Sequence, residues 1–160
     1  MSLPGAATDT RPAHSGAAPA MPRAAMERLL RDVQADLADY AGLNDLLDAQ
    51  FAGALRHDAQ AMESLAGRIV AVVDQLDARR QFRVGLLARL TGGATPSVPA
   101  LVAQWPAARR AAVQALWDRL EQAVQDCKAR NLRNARLLTE QNALLARVLH
   151  GPEDTLYADA

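Results

Sequence analysis

Apolar residues return along this chain at alternating steps of three and four, the spacing of one helical face, in three long runs separated by breaks. The first run is Met26, Leu30, Val33, Leu37, Tyr40, Leu43, Leu47, Phe51 and Leu55, and it predicts a helix starting after Pro22, whose ring suits a first turn. Gly42 and Gly53 weaken that helix by about 1 kcal/mol each relative to Ala. Arg56, His57 and Asp58 read as a turn, with the Asp58 carboxylate placed to cap a second helix by accepting from the backbone N–H of Gln60 or Ala61. The second run is Met62, Leu65, Ile69, Val72, Leu76, Phe82, Leu86 and Leu90, and it stops near Thr91. Arg79, Arg80 and Arg83 interrupt it; their stems are expected to lie along a neighbour while the charges reach water.

From Thr91 to Pro106 the sequence TGGATPSVPALVAQWP holds two Gly and three Pro, which forbid a continuous helix. Val98 to Trp105 can make a short helical piece, and Trp105 is expected to pin the connection to the surface. The third run is the longest: Val113, Leu116, Leu120, Val124, Cys127, Asn131, Asn134, Leu138, Gln141, Leu145 and Val148. It predicts one helix from about Ala107 to Leu149, ended by Gly151 and Pro152. At 1.5 Å per residue that rod is roughly 64 Å long, against about 45 Å for each of the first two. The expected fold class is therefore all-α, an antiparallel three-helix bundle or coiled coil with a long C-terminal helix. Its domain plan is a disordered tail over 1–22, a bundle over 23–150 and a flexible acidic tail over 151–160, with Leu156 and Tyr157 as the tail's apolar anchors. The first segment can equally mark a translation start placed upstream of Met21 or Met26.

The length mismatch leaves one end of the third helix without full cover, and its seam there is punctuated by Asn131, Asn134 and Gln141. Amides sealed in a dry core need partners. They can fix register between this chain's helices or bind the backbone of a foreign helix. Leu138, Leu145 and Val148 lie among them at the i, i+3/i+4, i+7 spacing of helix-in-groove anchors.

Composition narrows the function classes. Half of the 160 residues are apolar and only 4% aromatic, the make-up of helix-on-helix packing. Eighteen basic residues balance eighteen acidic ones, so no global field recruits nucleic acid or an anionic membrane. The short cluster Lys128, Arg130, Arg133 and Arg136 is interleaved with core positions and does not change that reading. No window approaches eighteen continuous apolar residues, so membrane insertion is not expected. The lone Cys127 and the lack of a charged leader with a cleavage site point to a cytoplasmic protein.

Candidate chemistry is sparse. Asp32, Asp36 and Asp39, like Asp74 and Asp77, are expected on solvated helix surface, partly paired with Arg. Cys127 has Lys128 beside it but no histidine within a few turns, and reads as a small buried apolar residue. His14 has no metal-ligating neighbour, and Gly92 and Gly93 lack the Lys and Ser/Thr of a phosphate cradle. No catalytic residue, cofactor or metal is expected.

The stretches LNDLLDAQFAGALRHDAQAMESL, LDARRQFRVGLLARL and LWDRLEQAVQDCKARNLRNARLLTEQNALLARVL, followed by LY, resemble the FlgN family of flagellar type III export chaperones. The resemblance runs from about Leu29 to Tyr157, and its most specific pieces lie between Leu43 and Asp58 and at Asn131 and Asn134 ahead of Leu137 and Leu138. It implies a cytoplasmic helical chaperone that binds hook–filament junction proteins, prevents their premature assembly and delivers them to the export gate or its ATPase complex. It also implies that Asn131, Asn134, Leu138, Gln141, Leu145 and Val148 hold the cargo's helical end. The final LYADA departs from the family's common Gly after LY. The alternative is a non-enzymatic adaptor or structural bundle whose same stripe forms a homodimer.

Overall fold

The computed structural model describes residues 20–93 and 96–150. The expectations for His14, Leu156, Tyr157 and the tails, apart from residues 20–22 of the first, lie outside those residues. The described residues form four helices: α1 (Arg23–Leu55), α2 (Ala59–Thr91), the short α3 (Val98–Val102) and α4 (Ala107–His150).

The boundaries have local causes. Pro22 precedes α1 with φ −57° and ψ 140°, and its carbonyl accepts the N–H of Met26 at 3.1 Å. At the other end Asp58 N–H donates to Gly53 O at 3.0 Å while His57 takes a left-handed φ of 55°, a closure that normally selects Gly. The Asp58 side chain then accepts from Ala61 N–H at 3.0 Å and opens α2. α2 ends at Gly92, with φ 66°, where the chain needs a left-handed residue. Ser97 caps α3, and the Arg110 guanidinium reaches back to Ala103 O and Trp105 O, fastening the crossover to the first turn of α4.

The three long helices run up, down and up. Gly53 meets Met62 while Asp36 meets Arg79, so α2 descends along α1. Asn134 meets Leu47 and Gln141 meets Ala54, so α4 climbs beside α1 in α1's own direction. α1 packs against both neighbours, whereas no Cα of α2 comes within 8 Å of one of α4. The molecule is therefore a bundle of the expected class with α1 as its spine and an open side between α2 and α4. Burial follows this plan: α1 buries residues on two faces, among them Leu29, Val33, Leu43, Leu46 and Leu47, while α2 fully buries only Leu65 and Leu76 and α4 only Leu120 and Asn134. Leu43, Leu47 and Leu76 form the central knot, with Tyr40, Ile69, Val72 and Cys127 packed on it. Burial pushes the Cys127 thiol and the Tyr40 phenol upward, the behaviour of packing residues rather than of activated groups.

The structure corrects several expectations about individual side chains. Asp32 and Asp36 are not solvated: α1 has a neighbour on each side, and Asp36 is 1% exposed between the guanidinium groups of Arg79 and Arg83, each within 2.6 Å of a carboxylate oxygen. Arg79 also binds Asp39. Arg79 and Arg83 consequently turn their charges inward onto these carboxylates, with only 22% and 13% of their side chains still exposed. Trp105 does not lie on the surface; it is 3% exposed, wedged under the crossover. Phe82 faces outward instead of inward, with the Arg28 guanidinium stacked 4.5 Å from its ring centre. Met21, within the segment read as a tail, donates its backbone N–H to Gln104 Oε1 at 3.1 Å.

Candidate functional site

The last two turns of α1 and the facing part of α4 are joined by side-chain amides. Asn134, 3% exposed, donates to Leu47 O and Gln50 Oε1, both at 2.8 Å. Two turns on, Gln141 donates to Ala54 O at 2.9 Å. Ala54 O lies in the last turn of α1, where it is shared with the His57 N–H, so Gln141 supplies part of the cap there, while Asn134 adds a further donor to a carbonyl inside the helix. Asp48 on α1 receives Arg133 at 2.9 Å and Arg130 at 3.2 Å, and the Arg133 hydrogen bond above all holds its carboxyl below the usual carboxylate range. Arg133 also lies 4.2 Å from the Phe51 ring centre. Half of the basic cluster anticipated on this helix is thus occupied inside the chain.

Beyond Gln141 the support stops. α1 has ended at Leu55, and every residue from Asn142 to His150 is exposed. This overhang is about 13 Å of helix. It presents Leu144, Leu145, Val148 and Leu149 at 55, 57, 70 and 75% exposure. Scattered exposed leucines are ordinary on a protein surface; four within six residues on an unsupported rod form a continuous patch.

The six residues expected to hold a partner therefore divide. Asn134 and Gln141 are tied to α1, and Leu138 is half-buried beside them. Asn131 is exposed, and Leu145 and Val148 stand free on the overhang. Sequence reasoning missed Leu144 and Leu149, which lie off the single seam. The signal was the apolar density of ALLARVL, which gives a wide arc rather than a stripe once no rod faces it.

Among the described residues no group of three or more His, Cys, Asp and Glu could hold a metal ion, and no helix is long and apolar enough to cross a membrane. A family model described as FlgN protein matches residues 21–150. No curated protein and no solved structure matches the chain.

Proposed function

This chain belongs to the FlgN family of flagellar chaperones, which are not enzymes, and on that premise we propose that it is a cytoplasmic export chaperone for hook–filament junction proteins. It binds the helical ends of these cargoes, keeps them from assembling early and hands them to the gate or ATPase complex of the flagellar export apparatus. The observation that carries the reading is the α4 overhang, an apolar arc that is left exposed among the described residues. A cargo helix whose apolar face is completed only in the finished assembly needs temporary cover, and an amphipathic rod lacking a neighbour provides it.

Release is as necessary as capture. Asn131 stands ahead of Leu138, and Gln141, bound to α1, interrupts the seam between Leu138 and Leu145, so the apolar stretch left for a partner stays short, which limits affinity and favours a reversible grip. Asn134 contributes indirectly, by holding α4 in register on α1 so that the overhang starts at a fixed place.

The test is titration calorimetry of a purified junction protein against the wild-type chain and against Leu145→Glu and Val148→Glu. Both positions are exposed, so helicity should survive. A loss of tenfold or more in affinity is expected for each, since burying one such side chain is worth about 1.5–3 kcal/mol. Unchanged affinity with intact helicity would reject the overhang as the cargo surface. Light scattering on the free chain separates the homodimer: a stable dimer that refuses cargo would replace the chaperone reading.

A further inference from the structure

The open side between α2 and α4 holds a second apolar surface at the opposite end of the molecule from the overhang. Its floor is α1 at Val33, its walls are Val73 and Val84 on α2 and Trp117 and Val124 on α4, and its closed end is formed by α3 and Trp105. The inner hollow, of about 210 Å³, is lined almost wholly by apolar side chains, and it shares Arg80, Arg83 and Trp117 with the shallower hollow beside it, so the two run together as one trough. Val73 and Val84 are roughly half exposed at its lip. From Val113 to Val124 it follows α4 for about three turns.

The charges at the mouth define the occupant. Arg83 is committed to Asp36 and Arg80 to Asp77, so the α2 wall is close to neutral. The α4 wall carries Asp118 and Glu121, one turn apart; Asp118 accepts from the Gln114 amide and Glu121 from the Trp117 indole N–H, and neither has a cationic partner among the described residues. An incoming element must be apolar on one face and must bring positive charge to one edge.

The geometry points to a docking site in which another protein inserts a single amphipathic helix of about three turns, its apolar face on the trough floor and Lys or Arg residues one turn apart along the edge facing Asp118 and Glu121. The inserted helix fills the missing fourth corner and covers Val73 and Val84. This surface is separate from the cargo surface proposed above and does not depend on it.

Both tryptophans of the chain belong to the trough, so their fluorescence reports occupation directly. The probe is a synthetic amphipathic peptide of about 14 residues, leucine on one face and lysine along one edge, compared with the same peptide carrying glutamate along that edge. The lysine peptide is expected to shift the tryptophan emission saturably and to bind roughly tenfold tighter than the glutamate peptide. Val84→Glu should abolish the response, Leu145→Glu should leave it intact, and the double variant Asp118→Asn with Glu121→Gln should bring the two peptides level. No saturable response to the lysine peptide, equal affinity for both peptides in the wild-type chain, survival of binding in Val84→Glu, or its loss in Leu145→Glu would each overturn the site.

Discussion

Asp36 is the residue on which the α1–α2 interface turns. A carboxylate at 1% exposure is tolerable because Arg79 and Arg83, one turn apart on α2, close on it from two sides, and the Asp36 hydrogen bond is the first cause of the upward push on Arg79. Removing Asp36 leaves Arg83 without its carboxylate and Arg79 with Asp39 alone. Asp36→Ala is expected to lower unfolding stability by about 3 kcal/mol, the low end for a buried pair because both arginines keep some contact with water. The reverse experiment separates charge from shape: replacing Asp36, Arg79 and Arg83 together by Leu, Met and Met should recover most of that loss in urea denaturation. If the triple variant is no more stable than Asp36→Ala, the interface depends on the ions for more than mutual neutralisation. The sequence hid this cluster because Asp32, Asp36 and Asp39 repeat at helical spacing beside an apolar stripe, which is how a solvated flank looks when a helix has one neighbour. α1 has two, and the second turns that flank into an interface. A sharper reading was available, since the antiparallel register that sets Gly53 on Met62 also sets Asp36 between Arg79 and Arg83.

At the scale of elements, the sequence was legible wherever a backbone rule acts alone. Pro22 before α1, Asp58 before α2 and Gly92 after it each stand at a boundary that their own chemistry dictates. Where tertiary packing decides, reading failed: Trp105 in a Pro-rich crossover resembles a surface aromatic until Leu29, Leu101 and Leu116 are seen around the same hollow. The α1–α2 turn carries a residual cost, because His57 holds φ at 55° with a β-carbon in place. His57 is exposed and its side chain makes no hydrogen bond among the described residues, so nothing recovers that strain. His57→Gly should therefore raise stability, by about 0.5–1 kcal/mol after the greater freedom of glycine in the unfolded chain is deducted. Matched urea curves decide it, and a lower midpoint for the glycine variant would show that unfolded-state entropy outweighs the left-handed penalty at this turn.

For the molecule as a whole, the decisive quantity is the difference in rod length. α1 and α2 are 33 residues each and α4 is 44, so part of α4 has to extend past its support. That much follows from periodicity, as does the apolar character of the excess. Which polar seam residues remain available to a partner does not, because Asn134 and Gln141 are consumed by α1 carbonyls whose position depends on register. The architecture makes folding and partner binding separable. Leu144, Leu145, Val148 and Leu149 touch little of the bundle, and replacing all four with Gln, a comparable helix former, should change unfolding stability by no more than about 1 kcal/mol. A Leu120→Ala change in the buried part of the same helix should cost about 2–4 kcal/mol. A quadruple variant that loses stability on the scale of Leu120→Ala would mean that the overhang packs onto its own chain in solution, and an arc already covered from within could not be the one that shelters a cargo helix.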